Sequence, residues 1–221
     1  MKQKIQIRCK NNKKSQKVEI GSTLFDVFSS FDLKMTHGPV SARVNNKVEG
    51  MHYRVYNSKD VEFLDMNSAS GSRAYTRTLF FVLCKAVQDI YPNTDVVIDI
   101  PVSNGFYVDI RLGRPVVDED VNILRRRMQE IIDSKMPIRR FTVPTEEAIA
   151  LFQEKGDVEK VKLLRTSGSI YTTYYKIGEY VDYYYGTLLT NTSQLYLFGL
   201  EKYYDGMLLR IPSVRDRKSV V

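Results

Sequence analysis

Tryptophan is absent from this 221-residue chain, and cysteine and histidine occur twice each. So few soft ligands exclude a disulfide framework and a cysteine-rich zinc fold. Cys9 and Cys84 are far apart, each in apolar surroundings with no second cysteine at metal-ligand spacing, and they read as two buried thiols of a reducing cytoplasm. His37 and His52 both fall in the first third of the chain and read as surface or loop residues rather than catalysts. No apolar run approaches the roughly 20 residues of a membrane span. The basic start, Met1 to Lys4, runs into alternating apolar and polar residues instead of an apolar stretch, so no secretory signal is expected. A G-x-x-x-x-G-K-[ST] phosphate loop is missing as well, and with it a cradle for ATP phosphates.

What the chain does have is an excess of positive charge, formally +7, with 43% hydrophobic and 27% charged residues. That is the composition of a globular protein with real cores. The local runs are Lys13-Lys14, Arg125-Arg126-Arg127 and Arg139-Arg140. A solvated surface is the preferred reading of them. The other reading makes Lys13, Lys14, Arg125, Arg126, Arg139 and Arg140 contacts for phosphate or RNA. Tyrosines crowd the C-terminal third: Tyr171, Tyr174, Tyr175, Tyr180, Tyr183, Tyr184, Tyr185, Tyr203 and Tyr204. Strand packing is preferred for them over a base-stacking platform. Asp109, Glu179 and Asp182 show no pairing that would mark an acid-base catalyst.

Periodicity divides the chain. Ile5, Ile7 and Cys9 alternate with polar residues as a strand, Asn11 to Lys14 turn it, and Val18 and Ile20 begin the return. Ser22 is the expected N-cap of a helix burying Leu24, Val27 and Phe28. Asn45-Asn46 between Val40–Val44 and Lys47-Val48 marks a tight hairpin, and Val61 and Phe63 lie on a closing strand. The polar stretch Asn67 to Ser72 reads as a junction, followed by a core helix from Tyr75 to Ile90. Beyond it come strands around Asn104-Gly105 and a helix capped by Asp118 with the stripe Val121, Leu124, Met128, Ile131 and Ile132. A strand over Pro137–Val143 and a helix from Pro144-Thr145 to Lys155-Gly156 follow. A hairpin around Ile177-Gly178-Glu179 and the stretches Leu195–Leu200 and Met207–Ile211 complete the pattern.

Several segments, taken in order, resemble the front of a threonyl-tRNA synthetase. Val44–Val48 with Val61–Leu64 is similar to the end of a TGS domain. Ala86–Pro92, Asn104–Asp109, Asp118–Pro137, Glu146–Phe152 and Gly178–Asp182 are similar to successive parts of the synthetase editing domain. The resemblance implies an α+β chain. A ubiquitin-like β-grasp TGS domain over 1–66 would precede a threonyl/alanyl-tRNA synthetase editing-like domain over 67–213, with a tail over 214–221.

In the family, H-x-x-x-H and C-x-x-x-H motifs line the pocket that hydrolyses seryl-tRNA. Their positions fall here on Arg77, Phe81, Tyr184 and Leu188, a degenerate cleft with no catalytic residue and no metal site. A TGS domain joined to a degenerate editing-type domain also resembles the front half of bacterial nucleoside (uridine) kinase-like proteins. That likeness implies a non-catalytic accessory or regulatory module whose partners are its own C-terminal catalytic domain and RNA or a nucleotide, with no membrane. It implies no cofactor in this chain, and ATP and Mg²⁺ for the kinase domain. A second reading is the N-terminal editing region of a threonyl-tRNA synthetase that deacylates mischarged tRNA, and a third is a purely structural module. Since a neutral phenol is a poor zinc ligand, elemental analysis of the purified chain is expected to find no stoichiometric zinc, and one equivalent would refute this.

Overall fold

The computed structural model describes residues 3–35, 37–103 and 105–212, with only the backbone of Asp99. Asn104 of the Asn-Gly turn and the expected tail over 214–221 lie outside the described residues.

Strand β1 (Lys4–Cys9) buries Ile7 and Cys9 and pairs antiparallel with β2 (Ser15–Glu19). Helix α1 (Leu24–Ser30) starts one residue later than the sequence suggested. Thr23, not Ser22, is its N-cap: its Oγ1 accepts from the Asp26 backbone at 3.2 Å, and Asp26 accepts from the Thr23 N–H at 2.8 Å. The reciprocal pair decides between two adjacent hydroxyl residues, because only Thr23 has a carboxylate three positions on. Strands β3 (Ser41–Val44) and β4 (Lys47–Gly50) form the expected hairpin, with φ of 45° at Asn45 and 75° at Asn46. Strand β5 (Lys59–Leu64) pairs parallel with β1 and antiparallel with β3. The sheet order β2-β1-β5-β3-β4, with Leu24 and Val27 of α1 in the core beside Ile7, Val61 and Phe63, is a ubiquitin-like β-grasp.

The polar stretch after β5 is not a loose junction. Ser68 caps helix α2 (Ala69–Ile90), accepting from the Gly71 N–H at 3.0 Å, so helix begins six residues earlier than Tyr75. Small polar residues that resemble a linker in sequence are here the cap and first turn of a helix. Gly71 is required: a Cβ there would lie 1.9 Å from the Asp65 carbonyl oxygen.

Helix α2 buries Tyr75, Leu79, Phe81, Val82, Leu83 and Val87 in a core shared by two further sheets. One sheet has the order β11-β12-β7-β6, from β6 (Val96–Val102), β7 (Gly105–Ile110), β11 (Gly199–Tyr203) and β12 (Gly206–Arg210). The other, β10-β9-β8, joins β8 (Arg139–Pro144), β9 (Tyr171–Ile177) and β10 (Tyr180–Tyr183). Val108 and Leu209 reach the shared core from the first, Tyr175 and Ile177 from the second. The whole is an α+β protein.

Helix α3 (Asp118–Asp133) buries its apolar stripe as expected, but Asp118 is not its cap. The buried Asp120 does that work, accepting from the Val117 N–H at 2.9 Å. The same carboxylate takes two hydrogen bonds from Arg114, at 2.6 and 2.8 Å, and one from the Tyr91 hydroxyl at 2.7 Å. Arg114 above all holds Asp120 well below the usual carboxylate range, and burial with Asp120 nearby pushes Tyr91 up to about 12. Helix α4 (Thr145–Glu154) was anticipated. Helix α5 (Val158–Thr166) was not: Asp157 caps it by accepting from the Lys160 N–H at 3.0 Å.

The β-grasp module packs against the rest through specific contacts. Val40 and Met66 belong to the larger core. Gln194 donates to the Pro39 carbonyl at 3.1 Å, and His52 Nε2 donates to that of Ile138 at 2.8 Å. Burial, assisted by nearby Arg140, lowers the His52 pKa, while the Ile138 carbonyl opposes the shift. A histidine whose folded pKa is depressed contributes stability above its unfolded value of about 6.5, and that contribution is lost as pH falls from there through the folded value. The urea midpoint is therefore expected to drop between pH 7.5 and 5.5, and to drop less in His52→Gln, which can keep the donor. Equal pH dependence in the two proteins would count against this assignment.

Candidate functional site

Arg77 and Phe81 are four residues apart on α2 and so share a face, yet their environments differ. Phe81 is 0% exposed, with its ring centroid 5.2 Å from that of Tyr180 and 5.7 Å from that of Tyr184. Leu188 is 1% exposed in the same core. It is held there because the neighbouring Leu189 N–H donates to Thr78 Oγ1 at 2.9 Å, tying the segment after β10 to α2. Phe81 and Leu188 thus occupy apolar core, and Tyr184 closes over Phe81 edge-on.

Beside this aromatic packing lies a polar cluster that sequence reading did not assemble. Asp182, a buried residue of β10, accepts from the Tyr180 hydroxyl at 2.8 Å and from the Tyr183 N–H at 2.7 Å. Lys160 of α5 pairs with Asp182 at 3.0 Å and with Asp157 at 2.6 Å. Burial works against the Lys160 charge, but Asp182 and Asp157 outweigh it and raise its pKa. Cys84, one turn beyond Phe81, places its thiol beside the Tyr180 and Tyr184 hydroxyls. Burial first, then Asp182, pushes that thiol up to about 12. Burial also drives both tyrosines well above their usual value. Cys84, Tyr180 and Tyr184 therefore keep their protons at neutral pH, beside the Lys160–Asp182 ion pair. No signal near Lys160 in the sequence points to Asp182, because helix α5 itself was missed.

Arg77, partly buried like Tyr184, is the charged member of the four. Its guanidinium packs over Gly186 (φ 108°), where a Cβ would come within 2.8 Å of Cζ. The Tyr175 hydroxyl donates to the Gly186 carbonyl at 2.8 Å. The remaining basic candidates do not gather into one site. Lys13 and Lys14 sit at the exposed β1–β2 turn, and Arg126 is exposed on α3. Arg125 donates through Nε, at 3.0 Å, and through Nη2 to the Leu200 carbonyl, which makes it a tie between α3 and β11. Arg139 and Arg140 are exposed on β8, facing Lys176 and Tyr175 of β9 in register. Among the described residues no group of three or more His, Cys, Asp or Glu could hold a metal ion, and no helix is long and apolar enough to cross a membrane.

No family model matches the chain. Curated proteins do: 181 residues, 81% of the chain, are 30% identical to the threonine–tRNA ligase of Acetivibrio thermocellus. Two further similar proteins are threonine–tRNA ligases as well. That of Marinobacter nauticus is 26% identical over 181 residues, and that of Clostridium kluyveri 28% over 192 residues, 86% of the chain. The chain spans only 28–30% of the length of these relatives. The similarity supports the editing-like reading of the fold and overturns the first functional expectation, an accessory or regulatory module of a nucleoside (uridine) kinase-like protein. That expectation rested on the missing zinc ligands and on a domain pair common to both families. Lost ligands say what chemistry a cleft has given up, not which parent it came from.

With a thiol near 12, less than about one part in a thousand of Cys84 is thiolate at pH 8. A thiol reagent at pH 8 is expected to leave Cys84 and the buried Cys9 unmodified in the folded protein and to label both in urea. Rapid native labelling of Cys84 would show the thiol to be open and activated.

Proposed function

We propose that this chain is an editing-type region of a threonine–tRNA ligase-like protein, with a TGS-type β-grasp module ahead of it, and that it engages tRNA. The observation that carries the reading is the similarity of about four-fifths of the chain to threonine–tRNA ligases. The β-grasp sheet joined without slack to an α+β body and the positive balance of +7 agree with it. A polyanion is attracted to such a surface through its phosphates, and binding releases condensed counterions.

Hydrolysis through the family's histidine and cysteine set is not part of the proposal. Arg77, Phe81, Tyr184 and Leu188 offer no imidazole, thiolate or metal ligand, and Phe81 and Leu188 are sealed in the core. One observation favours a second reading in which deacylation persists by other groups: the pair of part-exposed Lys160 with buried Asp182 lies beside Tyr180, Tyr184 and Cys84. The two readings separate in one experiment on the full chain. Retention of tRNA is measured at about 50 and 200 mM salt, and seryl-tRNA is followed for loss of serine. The expected result is binding that weakens roughly tenfold or more across that salt range, without accelerated deacylation. Absence of salt-sensitive binding would sink the main reading. Deacylation abolished by Lys160→Met would establish the second.

A further inference from the structure

The register of the β10-β9-β8 sheet places Asp182, Tyr175 and Arg140 in one row, pointing to one face. Asp182 is committed to Lys160 and Tyr180. Tyr175 is buried, and its hydroxyl is engaged by the Gly186 carbonyl. Arg140, at the end of the row, is exposed. From the facing side, Arg77 lays its guanidinium over the same Gly186. Arg73, one turn earlier on α2, is exposed and adjoins Arg77 at i, i+4 spacing. Three arginines from two elements thus surround the rim made by Tyr175 and Gly186. Among the described residues none of the three has a salt bridge, and Arg73 donates only to the Ser70 hydroxyl, at 3.2 Å. The charges also sense one another: burial and then Arg73 lower the Arg77 pKa, and Arg140 and Arg77 both act on Tyr175. Next to Gly186, Tyr185 is 88% exposed.

Like charges held together without counterions destabilise a fold unless something else stabilises the arrangement, and an anion does so. Guanidinium groups pair bidentately with phosphate oxygens, and an exposed phenol offers a face on which a base can stack. We propose that Arg73, Arg77 and Arg140 form a phosphate-binding site on the rim of the closed cleft, that its occupant is the phosphodiester backbone of tRNA, and that Tyr185 stacks on an adjoining base. The proposal rests on the tRNA reading above and narrows it to one place. On this view the position where the family carries a histidine ligand has moved from metal chemistry inside the cleft to anion capture at its edge.

The test uses the full chain, with tRNA and inorganic tripolyphosphate as separate probes. Arg140→Gln alters an exposed side chain and should keep the fold. Arg77→Lys keeps the charge over Gly186 but loses the planar fork. Arg126→Gln, an exposed arginine on α3, is the control. Each is checked by its thermal midpoint. Losing one arginine charge is expected to weaken tRNA binding about three- to tenfold near 100 mM salt and to lower the salt slope by about one, with Arg126→Gln unchanged. Arg77→Lys should fall between wild type and Arg140→Gln, and Tyr185→Ala should weaken tRNA but not tripolyphosphate. If wild type binds tRNA and Arg73→Gln and Arg140→Gln bind it equally well, the site is wrong and the tRNA reading stands. If wild type binds tripolyphosphate through these arginines but not tRNA, the site stands as a phosphate site and its tRNA occupant is overturned. Binding of neither probe overturns both.

Discussion

Helix α2 has to hide apolar side chains around most of its circumference, and the rest of the chain is arranged to let it. Sheet β11-β12-β7-β6 and sheet β10-β9-β8 both contribute to the core around it, and the β-grasp module reaches that core through Val40 and Met66. The hydroxyl of Tyr75 shows how closely the surroundings are fitted. It donates to the Leu197 carbonyl at 2.7 Å and accepts from the Tyr196 and Leu197 N–H groups at 3.1 and 2.9 Å. A helix buried on this scale leaves its polar residues few exits, which makes the direction in which Arg77 escapes a consequence of packing. The stem must leave between neighbours, and the gap available is the one over Gly186, where no Cβ stands in the way.

Sequence reading found what repeats along the chain and missed what depends on a partner distant in sequence. Strands β1 to β5, the Asn45-Asn46 hairpin and the stripe on α3 were all legible, because alternation and helical spacing record burial directly. Caps were misplaced, at Ser22 and Asp118, because each is decided by a bond to a residue further on: Thr23 exchanges bonds with Asp26, and Asp120 accepts from the Val117 N–H. The first turn of α2 resembled a linker because a helix beginning with serine and glycine has a loop's composition. Helix α5 escaped altogether, and with it Lys160, whose partner Asp182 belongs to a strand beyond an intervening one.

The cleft itself was legible in an unusual way. Four positions that carry ligands in a resembling family were visible as replacements, and the chemical consequence followed from residue type alone. Their separation into two groups was not visible. Phe81 and Leu188 became core, Tyr184 became a hydrogen-bonding wall beside Cys84, and Arg77 left the cleft. Parentage was misjudged for a related reason. Loss of function at a few positions was weighed as evidence of descent, whereas similarity spread over four-fifths of the chain points to threonine–tRNA ligases.

The approach of Gly71 to the Asp65 carbonyl has a mechanical meaning. Between the end of β5 at Leu64 and the start of α2 at Ala69 there are four residues, and Ser68 and Asn67 both bond back to Asp65. Such a connection cannot act as a tether or a free joint. Torque on the β-grasp module passes directly into the first turn of α2, four residues before Arg73 and eight before Arg77. Turning the module would twist the helix that carries both arginines, so a load on one body is transmitted to the rim of the other as by a shaft.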